Sequence, residues 1–228
     1  MIPAAAVALG LAALLRPHLA VLALAIVAPI ARALKGQPHE IEMLAAAAIG
    51  GALIAAARPR LTPLGAGRPG LVVPVVLFAG AAVRVAGVTD AAPLLAGMAA
   101  AYVAARHARD GVSRPIHLIR AALAGGIIAV AFRPEPAGLG GAGVTFPLVA
   151  GVLGLGSLIW MLAAFLIRVA RGFNAYPADR VLMGAVAAIA SFVALLVREP
   201  TFVLELMIPF WILIGATLAR ADGDAFKT

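Results

Sequence analysis

The chain has 228 residues, 64% of them hydrophobic and only 12% charged, with 18 Lys and Arg against 10 Asp and Glu. A soluble domain is near half apolar and a quarter charged, so this composition, with a mean hydropathy of +1.06, excludes an ordinary water-soluble globule, a disordered tail and a nucleic-acid module. It predicts an all-α fold: one membrane domain over residues 1–228, a polytopic transmembrane helix bundle.

A helix needs about 20 apolar residues to cross the hydrocarbon, and fewer inside a bundle. The first two expected spans are 2–15 and 19–34, broken by Arg16-Pro17-His18. They are short for two crossings, so they read either as a helical hairpin or as one broken crossing. The third span is 43–57. The fourth, 71–88, contains Arg84, and the fifth is 91–105. The sixth, 116–132, contains Arg120; the seventh and eighth are 144–167 and 181–197; the ninth, 201–219, contains Glu205. The total is eight or nine. No basic stretch precedes the first apolar run, so a cleaved leader is not expected, and the connections are short enough that no soluble domain is expected between spans.

The connections alternate in charge. Arg58, Arg60 and Arg68 fall in one, Arg106, Arg109 and Arg114 two connections later, Arg168, Arg171 and Arg180 two after that, then Arg220 and Lys227 in the tail. The intervening ones hold Arg32 with Lys35, Asp90, Arg133 with Glu135, and Arg198 with Glu199. The positive-inside rule assigns the first set, and with it the C-terminus, to the cytoplasm, as in a multi-pass protein of the cell's inner membrane.

Small residues recur four apart at Ala47/Gly51/Ala55, Gly97/Ala101, Ala121/Gly125 and Gly184/Ala188. This spacing lets helix backbones approach closely, within the bundle or between subunits. Pro29, Pro74, Pro93, Pro147 and Pro209 fall inside or near the starts of spans. They predict kinks, and broken helices in membranes also line cavities.

Ionisable side chains inside spans are the strongest pointers to function, because a charge in hydrocarbon is costly. Arg120, with His117 one turn earlier, lies close enough to a span end to snorkel. Arg84 and Glu205 share a depth near the outer ends of their spans, so they either neutralise each other or Arg84 faces an outward cavity. Arg133 and Arg198 join Arg84 and Glu205 as candidate substrate-binding residues at the outer rim, since guanidinium grips phosphate oxygens bidentately. The plainer reading is a solvated rim of weak charge pairs.

No catalytic signature occurs, and no cofactor is expected. His18, His39, His107 and His117 show no metal-ligand spacing, and there is no cysteine. The run Gly138–Gly143 follows an apolar helix rather than a strand, so it reads as an outer loop.

Residues 144–157 contain Gly154-Leu155-Gly156-Ser157 and lead into an apolar helix ending at Arg168; further on come Arg198-Glu199-Pro200 and Phe210-Trp211 with Gly215. This pattern resembles the C-terminal helices of the O-antigen ligase and polymerase-like membrane proteins, bacterial glycosyltransferases that use polyprenyl-diphosphate-linked glycans at the outer face of the inner membrane. The resemblance implies a Gly-Leu turn at Gly154–Ser157 and a final helix marked by Phe210, Trp211 and Gly215. That family's catalytic histidine would fall near Gly143-Val144-Thr145, where there is none, and the outer loop is only 133–143. No catalytic residue is therefore carried over.

Three functions remain open. The first is a cell-envelope protein handling a polyprenyl-diphosphate glycan or lipid head group, catalytic or not, with the diphosphate held by Arg84, Arg133 and Arg198. The second is a non-enzymatic subunit or assembly factor packing against other membrane proteins through Ala/Gly faces. The third is a small-solute permease. An outward arginine-lined cavity would favour the first, a broad apolar Gly/Ala face the second, and a polar chamber at the midplane the third.

Overall fold

A computed structural model of the chain describes residues 2–33, 38–56, 72–109, 114–131, 150–198 and 204–222. Among these residues the chain is all-helical. We number the α-helices α1 (Ile2–Leu15), α2 (Pro17–Ala33), α3 (Pro38–Ala56), α4 (Val72–Arg109), α5 (Pro115–Ala131), α6 (Ser157–Ala175), α7 (Arg180–Arg198) and α8 (Leu204–Ala221). A π-helical turn, Val152–Gly156, runs directly into α6.

Local chemistry explains where the boundaries fall. Three helices begin on proline, at Pro17, Pro38 and Pro115. Proline suits the first helical position because its missing N–H has no partner there in any case. Hydropathy alone starts these spans one to five residues late. The expected fourth and fifth spans form one continuous element interrupted at Gly87, where φ is 79° and ψ is 169°. Only glycine adopts that conformation without strain. Gly87→Ala has open space for its methyl group, so the expected loss of about 1–3 kcal/mol in thermal unfolding is backbone strain alone.

Residues 144–149 of the expected seventh span lie outside the described residues. The helix that follows runs on to Ala175, eight residues past the expected end. At its start Gly151 has φ 60°, and the Gly154 carbonyl of the π turn accepts the backbone N–H of Ser157. The Ser157 hydroxyl donates to the carbonyls of Leu153 and Gly154, the latter at 3.0 Å.

The packing centres on α8. Leu206 to Leu213 are all buried, as are Gly215, Ala216, Thr217 and Ala219, so α8 is enclosed on every side, as expected for a helix that is apolar all round. Thr217 satisfies its hydroxyl within the helix, donating to Leu213 O at 2.7 Å. The most extensive interface of α8 is with α4, followed by α5.

Glycines make these approaches possible. A Cβ on Gly215 would strike the Ala101 backbone, one on Gly97 the Trp211 ring, and one on Gly51 would lie 2.5 Å from Gly10 O. Gly125 meets the carbonyl of Ala25 on α2. The pairings expected at Gly51, Gly97/Ala101 and Gly125 are therefore contacts inside the bundle. Gly184 differs: nothing lies within 4 Å of its Cβ position.

The count of eight or nine crossings is not supported by helix length. Among the described residues one helix, Val152–Ala175, is long and apolar enough to cross a membrane. The other apolar stretches, such as Pro115–Ala131 and Leu206–Ala221, are shorter. The long helix is only 17% buried, and it exposes Ile159, Trp160, Leu162, Leu166 and Ile167.

Candidate functional site

The contacts of α8 fix the relative direction of its neighbours. Gly97 faces Met207 and Trp211 while Ala101 faces Gly215, so the second part of α4 runs parallel to α8. Gly172 of α6 lies against Ala221, and Asp179 at the start of α7 bonds Arg220. The ends of α4, α6 and α8 and the start of α7 thus meet at one end of the bundle. Arg106, His107, Arg168, Arg171, Asp179, Arg180, Arg220 and Asp222 gather there. Connections that the charge alternation assigned to one side are brought together in space.

Two ion pairs organise this end. Asp179 caps α7: its Oδ1 accepts from the backbone N–H of Val181 at 3.0 Å and of Leu182 at 3.2 Å. The same carboxylate receives Arg220 bidentately, from Nε to Oδ2 at 2.6 Å and from Nη2 to Oδ1 at 2.9 Å. Helix capping and a fork-on-carboxylate pair are each charge-assisted, and here one side chain serves both. Burial by itself raises the Asp179 carboxyl, but the Arg220 guanidinium and the two backbone N–H groups outweigh it and hold the group below its ordinary value. Arg168 Nη1 lies 3.6 Å from Asp222 Oδ2. The connecting turn is tight, with Tyr176 N–H donating to Gly172 O at 2.9 Å and Asp179 N–H to Tyr176 O at 3.1 Å. Arg106 and His107 are buried at the end of α4.

Arg171 and Arg180, on either side of this turn, are exposed, and neither takes part in an ion pair among the described residues. Arg120 and His117 are also exposed on α5.

The four candidate substrate-binding residues are not brought together by described contacts. Arg84 is exposed on α4, three residues before the break at Gly87. Helical rise puts that break about 30 Å from Arg109, so Arg84 belongs to the end opposite the arginine cluster. No ion pair of the described residues includes it. Glu205 lies in the first turn of α8 and Arg198 closes α7, but their side chains, and all of Arg133, lie outside the described residues. The expected Arg84–Glu205 neutralisation falls there too. The Gly-rich run 138–143 is likewise outside them.

Motif positions behind the glycosyltransferase resemblance have packing roles here. Trp211 sits in the notch left by Gly97 and meets Phe210 edge-on at 5.7 Å between ring centroids. Phe210 in turn lies 5.8 Å from Phe192 of α7. Gly154–Ser157 fall on the π turn and the start of α6.

The apolar gap lined by Ala20, Val21, Leu24, Ala48, Ile49 and Val103 has no room for a water molecule. Among the described residues no three His, Asp or Glu side chains gather as a metal site would require. Compared with known protein families, curated proteins and solved structures, the chain matches none.

The pairing of Asp179 with Arg220 is the feature that hydropathy missed. Its signal is in the sequence: an aspartate directly before an apolar periodic run is an N-cap pattern. The identity of its partner, 41 residues away, has no local signature.

Proposed function

We propose that the chain is a multi-pass integral membrane protein, a non-enzymatic subunit or assembly factor that presents apolar helix faces to lipid and to other membrane chains. The observation that supports this is the open face of α6 and α7. Ile159, Leu162, Leu166 and Ile167 are exposed on α6, and Met183, Gly184, Ala187 and Val193 on α7. In water such exposed apolar faces favour association or aggregation, whereas in a bilayer they are the ordinary outer surface of a bundle. The arginine cluster at one end supports a cytoplasmic assignment for that end and for the C-terminus. Among the described residues the buried polar side chains are few, and Ser157 and Thr217 bond to backbone carbonyls one turn earlier, an arrangement that does not favour a solute path.

The test is fractionation of expressing bacterial cells followed by labelling of a C-terminal tag. The expected result is retention in the membrane after alkaline carbonate wash, with the tag reached only in opened cells. In native bilayer patches the chain should migrate as a complex larger than a monomer. A stable monomer in plain buffer, or a tag labelled on intact cells, would overturn the reading.

A second reading, handling of a polyprenyl-diphosphate glycan, is favoured by Arg84, an exposed guanidinium on an apolar helix far from the arginine cluster. A polyprenyl-diphosphate lipid retained through purification would support it.

A further inference from the structure

We infer that the turn between α6 and α7 binds an anionic phospholipid, with the phosphate between Arg171 and Arg180 and an acyl chain along the exposed stripe of α6. The inference rests on the membrane reading above and adds a ligand to it. Trp160, Ala163, Ile167 and Arg171 follow one another at intervals of three and four residues, so they share one face of α6, and all four are exposed. That face is an aliphatic and aromatic track ending in a guanidinium, which matches the order of groups in a phospholipid. Arg180, also exposed, opens α7 directly after the short turn 176–179. Tyr176, half-buried in that turn, is the residue type favoured at head-group depth.

Charge accounting singles out this turn. Both described carboxylates at this end are already engaged, Asp179 by Arg220 and the N–H groups of α7, Asp222 by Arg168. Among the described residues Arg171 and Arg180 have no carboxylate partner. A zwitterionic head group brings its own cation, so two such arginines discriminate in favour of a lipid with net negative charge. Guanidinium binds phosphate oxygens in a planar, bidentate way that an ammonium cannot reproduce.

The test uses the full chain reconstituted in bilayers of equal parts phosphatidylglycerol and phosphatidylcholine, then released into neutral detergent for measurement of retained lipid. The expected result is enrichment of phosphatidylglycerol, falling about five-fold for each of Arg171→Gln and Arg180→Gln. Arg171→Lys should keep part of the preference, and excess inorganic phosphate should leave it unchanged. Both arginines lack described ion pairs, so the unfolding temperature of the variants should match the parent. Equal retention of the two lipids, or displacement of phosphatidylglycerol by inorganic phosphate, would overturn the proposal. So would a dimer whose cross-links run through Ile167 and Arg171. A chain that fails to enter the bilayer at all overturns the membrane reading instead, and reconstitution reveals that before any lipid is measured.

Discussion

Gly125→Ala is expected to be among the most damaging small substitutions in the chain. The added methyl would strike the carbonyl oxygen of Ala25, lie 2.9 Å from its carbonyl carbon and 3.5 Å from Pro209 Cβ. Two of these three contacts are backbone, which cannot rotate away as a side chain tip can. Relief requires α2 and α5 to separate, and that loosens both against α8. Overpacking of this kind costs about 3 kcal/mol, which lowers the unfolding temperature by about 10 °C for a chain of this size. Gly184→Ala is the matched comparison. It has the same chemistry in the same kind of helix, but open space around it, so it should be neutral or raise stability by up to about 1 kcal/mol through lost glycine flexibility. Thermal unfolding of both variants in one detergent checks the pair. Equal effects would mean that the α2–α5 approach is not as close as described.

Asp179→Ala should cost more than any other single polar deletion among the described residues. It removes the cap of α7 and leaves the mostly buried Arg220, whose side chain is 14% exposed, without its counter-charge. Breaking such a pair from one side costs about 3–5 kcal/mol. Asp179→Asn keeps a capping oxygen and should lose less. Once Asp179 is gone, Arg220→Gln should cost little more, so the two substitutions are strongly non-additive. The carboxyl is held below its ordinary value of 3.8 when folded. Its contribution is therefore fully present above that value and is lost as the pH falls through the lower folded one. A stability profile from neutral to acid should show this loss in the parent and lack it in Asp179→Asn.

Hydropathy located the helices because burial or lipid contact acts on stretches of a dozen or more residues. Boundaries were less legible where single residues decide them. Pro38 starts α3 five residues before the apolar run, and Gly87 joins two expected spans through one residue that alone leaves helical geometry. Arg84, Arg133, Arg198 and Glu205 share a depth in sequence near the outer rim, but depth does not say which helices are neighbours. The arginine-rich end was visible as a charge alternation. Its internal order was not, because the partner of Asp179 is set by the packing of α8. The Phe210, Trp211 and Gly215 pattern shows the same limit: residues that resemble a family motif are here the complement of Gly97 and Ala101.

The enclosed position of α8 has a consequence for biosynthesis. α2, α4 and α5 precede α8 in the chain, so a ribosome releases them before the helix they surround, and their final packing waits on its arrival.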